Sequence, residues 1–444
     1  MNGREALRQV FHSAVAAARG DLLLRSHAAL DGDRWSYQHG HLTHSVLLPR
    51  VTSGGRILVV GAGKAAAALA LGLEGTLGER IDRGAIVVKI GHAVPLQRIR
   101  VFEAAHPVPD QAGVQATREI LALCGTLTPR DLVFVLLTGG ASALLVAPAA
   151  GLTLLDKAAT HAVLLRSGAD IEAMNIVRKH LSAVKGGQLL RHLGGASVVT
   201  LAISDVPGDD PAIIASGPTV ADPSTFADAL AVLARHSLTE QIPPAAVDYL
   251  WRGAAGLAPE TPKPDPTALL AAPWIIASNR LALNAAAERG RQLGLRVLEY
   301  PAPLQGSTHT AVRDFANYLR TLVGQGPRGR PLLVLAGGET TVRVSGAGLG
   351  GRCQEFALLS AQSLQDLGAY HVLAAGTDGT DGPTPAAGAF VDDQTLRRAA
   401  QLGLDPAQYL GRNDSYRFFE ALHDLFVTGP TGTNVMDIVA AVVE

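Results

Sequence analysis

The sequence predicts an α/β protein of two domains, each built from strands that alternate with helices. A chain of 444 residues is too long for one ordinary domain. Hydrophobic residues make up 48% of it and charged residues only 17%, which is enough apolar material for large cores. Short apolar runs are repeatedly followed by a glycine-rich turn and a helical pattern. Such strands are typical of parallel sheets whose two faces are both covered by helices.

The first predicted domain, residues 1–240, has the pattern of a Rossmann-like, doubly wound sheet. Its strands are expected at 56–60, 85–90, 131–137 and 196–204. Helices are expected between them, for example over 156–168. A glycine turn follows several of these strands, which is where ligands bind in sheets of this kind.

A proline-rich segment, residues 241–270, is predicted to be a linker, because closely spaced prolines disfavour both helices and strands. The alternation of strands and helices then resumes and predicts a second α/β domain over 271–444. The strands of that domain are expected at 274–278, 296–300, 331–344 and 371–379.

Charge and composition exclude several classes of protein. The net charge of −1 gives no field that would attract nucleic acid or an anionic membrane surface. No apolar run approaches the ~20 residues of a membrane span, and the N-terminus predicts an amphipathic helix rather than a signal peptide. Cys124 and Cys353 belong to no metal-binding or disulfide pattern. We therefore expect a cytoplasmic protein whose partners are small molecules; whether it forms a homodimer stays open.

The first glycine turn carries a lysine. Gly61 and Gly63 have the spacing of a dinucleotide fingerprint, but the next strand ends at Lys89 and not at the acid that would bind a ribose hydroxyl. A Walker loop is excluded because alanine follows Lys64. The helix dipole disfavours a cation at this position, whereas an anion is favoured there. The turn is predicted to present its N–H groups and Lys64 to a phosphate or carboxylate; the alternative is an ordinary surface lysine.

A second glycine turn follows the strand at 131–137. Its polar or small residues are Thr138, Gly139, Gly140 and Ser142. Their N–H groups and hydroxyls are suited to an anion. Many turns between a strand and a helix look alike, so this prediction depends on the two glycine turns meeting at one edge of the sheet.

A group of cations follows in residues 174–190, which are predicted to form one helix. Arg178 and Lys185 fall on the same face of that helix as Asn175 and Ser182, beside an apolar stripe. This face is predicted to bind an anion, with an ordinary solvated face as the alternative.

Acidic residues are concentrated in two further segments. Asp205, Asp209 and Asp210 follow the strand at 196–204, and Asp378 and Asp381 lie in a loop with two Asp-Gly pairs. Such carboxylates are suited to Mg²⁺ or to proton transfer. The alternative is that they cap turns.

The second domain contributes a glycine-rich hairpin with its own charged residues. Glu339 precedes the hairpin, and Arg352 and Glu355 follow it, with Arg352 at the predicted start of a helix. This is a second cation where a helix begins, so the same prediction of anion binding applies.

Seven segments, taken together and in order, resemble the bacterial glycerate 2-kinases of the MOFRL type. They are GAGKAA, TGGASAL, NIVRKHLSAVKGG, SDVPGDDPAIIASGPT, AGGETTV, GGRCQEFAL and AAGTDGTDGPT. The resemblance as a whole runs from about residue 50 to the C-terminus. One local departure is Cys353, where the family commonly has asparagine.

The resemblance implies phosphorylation of D-glycerate by ATP and Mg²⁺ to 2-phosphoglycerate, with the active site in a cleft between two α/β domains. It implies catalytic roles for Lys64, Asp205 and Arg352. Asp205 would act as a base or bind Mg²⁺, and both roles stay open. Candidate substrate or phosphate contacts are Gly61, Gly63, Thr138, Gly139, Gly140, Ser142, Arg178, Lys185, Glu339 and Glu355. Candidate Mg²⁺ ligands are Asp205, Asp209, Asp378 and Asp381.

Two other functions stay open. Some members of this family carry the name hydroxypyruvate reductase, and the fingerprint spacing favours such an NAD(P)-dependent enzyme. The strand that ends at Lys89 argues against it, because no acid follows to bind the ribose. A non-catalytic sensor of sugar acids or nucleotides is the other alternative, although it would not need acids beside the glycine turns.

Overall fold

In the computed structural model, which describes residues 2–50, 54–264, 272–324 and 330–444, the chain divides into two compact units. The first unit is Gly20–Ile276, and the second unit combines Met1–Arg19 with Ala277–Glu444. Each unit has a sheet of six strands with helices packed against it. The predicted class, a two-domain α/β protein, is confirmed.

The N-terminal helix α1 (Gly3–Ala17) belongs to the second unit. The helices of the first unit are α2 (Gly20–His27), α3 (Ala66–Leu77), α4 (Gln111–Cys124), α5 (Ala141–Leu144), α6 (Leu154–Arg166), α7 (Ile171–His180), α8 (Phe226–Arg235) and α9 (Pro244–Ala254). Its strands are β1 (Ala28–Asp31), β2 (Arg34–His39), β3 (Leu42–Leu47), β4 (Ile57–Ala62), β5 (Arg83–Lys89), β6 (Ile99–Ala104), β7 (Leu132–Leu137), β8 (Ser197–Ile203) and β9 (Trp274–Ala277). The central sheet has the order β6-β5-β4-β7-β8-β9.

This strand order creates a natural place for a ligand. Counted along the chain, the strands run third, second, first, fourth, fifth and sixth, which is the order of doubly wound sheets. The order reverses between β4 and β7, which pair in parallel with Ala62 opposite Leu137. Both strands are buried at every position. The two predicted glycine turns therefore leave the sheet side by side at its switch point.

Residues 28–47 form a three-stranded antiparallel sheet of β1, β2 and β3, which the sequence analysis did not predict. Alternation of buried and exposed residues is clear only in part of it, where Trp35 and Tyr37 on β2 are buried. Tyr37 donates a hydrogen bond to the carbonyl of Ile276 (3.3 Å). This sheet is an addition to the doubly wound core.

The second unit has a mixed sheet. Its strands are β10 (Arg296–Glu299), β11 (Leu332–Gly338), β12 (Tyr370–Gly376), β13 (Gly388–Asp392), β14 (Leu425–Phe426) and β15 (Asp437–Val443). Its other helices are α10 (Asn279–Gln292), α11 (Thr308–Val323), α12 (Arg352–Ser363), α13 (Thr395–Gln401), α14 (Pro406–Gly411) and α15 (Ser415–Leu422). The last strand, β15, lies in the interior of the sheet and pairs antiparallel with both β11 and β12.

The structure differs from the predicted domain boundaries at both ends of the first domain. Helix α1 packs in the second unit, where Arg4 Nη1 lies 2.6 Å from Asp424 Oδ1. The proline-rich segment contains α9, because a proline at the first helical position favours helix initiation. After α9, Glu260 accepts hydrogen bonds from His180 Nε2 (2.9 Å) and the backbone N–H of Phe226 (3.0 Å). Residues 241–264 are thus part of the first unit, and 265–271 lie outside the described residues.

Within the ranges that the structure describes, no helix is long and apolar enough to cross a membrane.

Candidate active site

The two glycine turns are locked together by hydrogen bonds. The backbone N–H of Lys64 donates to Gly139 O (2.8 Å), and that of Ala65 donates to Thr138 Oγ1 (3.0 Å). The N–H of Gly63 donates to Val87 O on the neighbouring strand β5 (3.1 Å). The structure therefore brings the two turns together, as the sequence predicted. It also corrects the prediction that the first turn offers backbone donors to an anion, because these N–H groups already have protein acceptors.

Gly61 and Gly63 serve packing. Gly61 lies inside β4, where an added Cβ would lie 2.3 Å from Leu136 O. A Cβ on Gly63 would lie 2.1 Å from Thr138 Oγ1. Neighbouring protein atoms fill the space that their missing side chains leave, and direct contact of these glycines with a ligand stays a prediction. In a dinucleotide site, the second glycine instead makes room for the pyrophosphate.

The second turn keeps donors for a ligand. The backbone N–H groups of Gly139 and Gly140 have no acceptor among the described residues. Gly140 has φ of +84°, and a Cβ placed on it would lie 3.0 Å from His106 Nε2 and 3.3 Å from Lys64 Cγ. Gly140 thus allows the Lys64 stem and the His106 ring to approach this backbone. Lys64 itself is partly buried, and its carbonyl accepts a hydrogen bond from His92 Nδ1 (3.0 Å).

Gly140→Ala is expected to reduce activity by about tenfold or more, because the added methyl group crowds the Lys64 side chain. It should also cost ~1–2 kcal/mol of stability for the left-handed backbone. Gly151→Ala is a matched control: Gly151 has φ of +87° with nothing near its added Cβ. Thermal unfolding should show similar losses for both variants, and kinetics should show a loss for Gly140→Ala alone. Equal kcat/KM in the two variants would contradict a role for this turn in positioning Lys64.

A chain of polar side chains leads away from the second turn. Ser142 Oγ lies 2.9 Å from Ser216 Oγ, and Ser216 donates to Asn175 Oδ1 (3.2 Å). Arg178 Nη1 donates to the same amide oxygen (3.3 Å). Ser216 and its neighbour Ala215 both have positive φ, a strained backbone that tends to occur at functional sites. Ser216 was missed by the sequence analysis, although its segment was among those that carry the family resemblance.

Four basic side chains line one cavity beside this polar chain. They are Lys157 and His161 on α6, Arg178 on α7, and Lys185 on the turn that follows α7. The cavity has a volume of about 70 Å³, and much of its remaining lining is apolar. We call these four residues with their cavity the cation pocket. The structure thus brings together the predicted Arg178 and Lys185, and it adds Lys157 and His161.

Burial and mutual repulsion lower the pKa values of the residues in the cation pocket. Burial, with repulsion from Arg178 as the smaller effect, lowers the pKa of Lys157 to about 7. The same causes lower the pKa of His161 to about 4, where Lys157 and Lys185 also contribute. The pKa of Lys185 is lowered well below its usual value, first by burial and then by Arg178 and Lys157. These basic side chains are therefore held partly or wholly neutral, and none of the three pKa values is raised by a carboxylate.

The predicted helix over 174–190 is shorter in the structure. Helix α7 ends at His180, and Ser182 Oγ then accepts hydrogen bonds from the backbone of Val184 and Lys185 (both 3.3 Å). Lys185 therefore reaches the cation pocket from a turn and not from a helical face. Lys179, next to Arg178 in the chain, faces elsewhere and forms an ion pair with buried Asp222 (3.3 Å).

The acids after β8 differ in their surroundings. Asp205 is partly buried at the carboxyl end of β8, and Asp209 has φ of +56° in the turn that follows. Asp210 is exposed, and its Oδ1 accepts the N–H of Ala212 (2.8 Å), which supports the turn-capping alternative for that residue. Asp205 is therefore the acid closest to the strand end, where ligands of such sheets bind.

In the second unit, Arg352 is held by two carboxylates. Its Nε and Nη2 face Asp437 Oδ2 and Oδ1 at 2.5 and 2.9 Å, and Nη1 lies 2.8 Å from Glu339 Oε1. Burial lowers the pKa of Arg352, but attraction to Asp437 and then Glu339 outweighs it and raises the pKa overall. The guanidinium fork thus has a protein partner. The sequence analysis missed Asp437, the acid at the first position of the otherwise apolar strand β15.

Glu355 faces a separate polar cavity of the second unit. The cavity has a volume of about 380 Å³, and His309, Arg343 and Asn413 also line it. Glu355 Oε2 accepts a hydrogen bond from Asn413 (3.4 Å), and burial raises the pKa of Glu355.

Asp381 caps a helix. Its two carboxylate oxygens accept the backbone N–H groups of Cys353 (3.0 Å) and Gln354 (2.8 Å) in the first turn of α12. Both oxygens are used and the residue is buried, which supports the turn-capping alternative, and Mg²⁺ binding by Asp381 stays a prediction. Asp378 Oδ1 accepts the N–H of Thr380 (2.9 Å) in the same loop. Within the described ranges, no three His, Cys, Asp or Glu side chains are grouped to hold a metal ion.

Comparisons with known proteins agree with this architecture. Residues 6–251 match a model described as "Domain of unknown function (DUF4147)", and residues 332–437 match that of the MOFRL family. A putative hydroxypyruvate reductase of Agrobacterium vitis is 42% identical, covering 100% of this chain and 95% of that protein. A glycerate 2-kinase of Pyrococcus horikoshii is 39% identical, with 88% of each chain covered. The crystal structure of a glycerate kinase of Thermotoga maritima has a TM-score of 0.80 and 34% identity, with 99% of each chain covered.

A doubly wound sheet with polar turns at its switch point and a nearby cation pocket is typical of α/β proteins that bind small anionic ligands. The length and identity of the matches make the assignment more specific. The chain belongs to the DUF4147–MOFRL family, which includes the glycerate 2-kinases of the MOFRL type.

Proposed function

We propose that this protein is a glycerate 2-kinase, which transfers the γ-phosphoryl group of ATP to the 2-hydroxyl of D-glycerate. The observation that carries the proposal is the similarity to glycerate kinases over almost the whole chain, in sequence and in fold. Lys64, Asp205 and Arg352 lie in the segments by which the sequence resembles that family. A cytoplasmic location and a homodimer stay predictions.

Phosphoryl transfer needs in-line positioning and neutralisation of charge more than covalent help from the protein. The 2-hydroxyl oxygen forms the new bond to phosphorus while the bond to the ADP oxygen breaks. We assign Lys64 to oxygens of the transferred group or of the glycerate carboxylate. Asp205 orients the 2-hydroxyl and accepts its proton, or holds the metal ion.

Arg352 has a more specific role than the sequence suggested. Because Asp437 occupies two guanidinium nitrogens, we assign its remaining edge, at Nη1, to the ligand. Glu339 faces this edge and is about half exposed, so an anion would compete with it there. Asp437 then orients the guanidinium in the way that a carboxylate orients a metal-binding histidine.

The carboxylates after β8 would suit a magnesium ion. Mg²⁺ usually binds proteins through one or two carboxylates, with the other positions filled by water and phosphate. Asp205, at the end of β8, with Asp209 in the same turn, is such a donor set in the first unit. When bound, the ion would neutralise charge on the phosphates.

The reductase alternative has one observation in its favour, the name of the Agrobacterium vitis relatives. Two features of the turn weigh against it. Thr138 fills the space at Gly63 where a pyrophosphate would approach, and β5 ends at Lys89 and not at an acid that binds ribose.

The purified protein is expected to consume ATP only when D-glycerate and Mg²⁺ are both present. The product should carry its phosphate on the 2-hydroxyl, which ³¹P NMR can identify. NADH with hydroxypyruvate should give no turnover above background. Rapid NADH oxidation without ATP would overturn the kinase assignment, and a 3-phosphate product would overturn the position of transfer.

A further inference from the structure

The basic side chains of the cation pocket have no carboxylate partner among the described residues. Lys157 Nζ donates to Leu181 O (3.0 Å) and Lys185 Nζ donates to Ser142 O (2.8 Å), so both ammonium groups meet neutral carbonyls. Arg178 meets the amide oxygen of Asn175. Among the ion pairs of the described residues, none includes these three cations. His161 Nδ1 is buried and has no hydrogen-bond partner.

Other buried ions of this unit are paired, which makes the cation pocket unusual within its own fold. Lys179 pairs with Asp222, and Arg56 pairs with Asp131 at 2.8 Å. A buried charge without a counter-ion costs several kcal/mol and is normally avoided. Three basic side chains on neighbouring elements have no carboxylate partner here, and the lysines among them lose charge to burial, so we infer that a ligand supplies the counter-charge.

We propose that the cation pocket binds a phosphoryl group that carries two or more negative charges. The phosphoryl group would belong either to the polyphosphate of the nucleotide or to the phosphate of the product. This choice of two ligands rests on the proposed kinase function. The binding residues are Lys157, His161, Arg178 and Lys185.

The charge and the shape of the pocket favour a phosphoryl group over a carboxylate. One carboxylate neutralises one of three cations, whereas a phosphoryl group or a pyrophosphate has the charge and the several oxygens to meet all of them. The arginine fork and the unpartnered His161 Nδ1 add donors. The volume of about 70 Å³ is several times the ~15 Å³ that one buried water needs, so a small polyatomic anion has room.

The cation pocket should take up protons when it binds an anion. Burial and Arg178 lower the pKa of Lys157 to about 7 in the free protein, and an anion beside it would raise that pKa again. The basic groups that line the pocket beside Lys157 are His161 on α6, Arg178 on α7 and Lys185 after α7; Arg178 is the charge that lowers the pKa of Lys157, and no carboxylate contributes to the pKa shifts of Lys157, His161 or Lys185. Binding of a dianion should therefore weaken between about pH 7 and 9, by up to ~10-fold per pH unit for each proton taken up.

The test measures thermal unfolding with sulfate or pyrophosphate, at constant ionic strength and without nucleotide or glycerate. Sulfate keeps its double charge across this pH range, so its pH dependence reports the protein. The wild type should be stabilised by several degrees. Lys157→Met should unfold at an equal or higher temperature without the anion, because repulsion is relieved, and should lose most of the shift. Lys157→Gln, which keeps a donor toward Leu181 O, is the second variant.

Arg166→Met is the matched control, because Arg166 is exposed at the end of the same helix and does not line the pocket. It should keep the full shift. A Lys157→Met variant that keeps the wild-type shift would overturn the proposal. So would strong stabilisation by D-glycerate with none by pyrophosphate, since that result would indicate a carboxylate site.

Kinetics separate the two sources of phosphate. A rise of tenfold or more in the KM for ATP in Lys157→Met, with the KM for D-glycerate unchanged, would identify the nucleotide. Loss of inhibition by 2-phosphoglycerate alone would identify the product. Unchanged values for both would overturn the proposal. If the wild type consumes no ATP but the pyrophosphate shift depends on Lys157, the kinase assignment fails while the phosphoryl site stands.

Discussion

Lys64→Met is expected to lower kcat/KM by ~10²–10³-fold while the protein stays folded. A loss of this size is typical when one preorganised charge contact to the transition state is removed. The N–H groups of Gly63, Lys64 and Ala65 are bonded to the protein, so the side chain of Lys64 is what this turn can offer to an anion.

Stability should change little in the same variant or rise slightly. Lys64 lies just before α3, where the helix dipole disfavours a cation, and methionine keeps the apolar stem. Arg83→Met is the control, because Arg83 is exposed at the opposite end of the neighbouring strand β5. It should leave kcat/KM unchanged. If Lys64→Met lowered the unfolding temperature by several degrees and kept full activity per folded molecule, Lys64 would be a structural residue.

The parallel strands were predictable because burial on both faces leaves a continuous apolar run. The strand expected at 131–137 is β7, and the one expected at 196–204 is β8, each within one residue at both ends. Other strands gave no such pattern. β6 carries Arg100 and Glu103 among its apolar residues, and β1 and β3 have no buried residue.

Contacts between distant parts of the chain could not be predicted in detail from the sequence either. The sequence placed Gly63 and Thr138 near one another, but it could not tell that Thr138 accepts the N–H of Ala65 and fills the space at Gly63. Likewise, nothing local indicates that α1 packs in the unit that begins again at residue 277.

Some residues that the sequence analysis missed did leave a pattern. Lys157 and His161 are four residues apart in a segment correctly predicted to be helical, so they had to share a face. Asp437 directly precedes the apolar run of β15, as Asp205 follows that of β8. Candidate acids were expected only at the carboxyl ends of strands. Asp205 lies at such an end and was predicted, whereas Asp437 lies at the amino end of its strand and was missed.

The second large effect is expected at Arg352. Arg352→Lys should lose about as much kcat/KM as Arg352→Ala, within ~10-fold, because an ammonium cannot meet Asp437 through two nitrogens and a ligand through a third. Both variants should also unfold at a lower temperature. Each substitution weakens or removes the partner of the buried Asp437 carboxylate. Because the Arg352 side chain is 32% exposed, we expect the free energy of unfolding to fall by up to ~3 kcal/mol.

A double variant separates these two effects. Arg352→Met leaves the buried Asp437 carboxylate without its cationic partner, and Asp437→Asn removes that negative charge. The double variant Arg352→Met, Asp437→Asn should therefore recover most of the stability that Arg352→Met loses. It should recover no activity, because the guanidinium edge that faces Glu339 is still missing. Unfolding curves and kcat/KM for the two single variants and the double variant complete the cycle. If activity returned together with stability, Arg352 would act by holding β15 to α12, and its assignment to the ligand would be wrong.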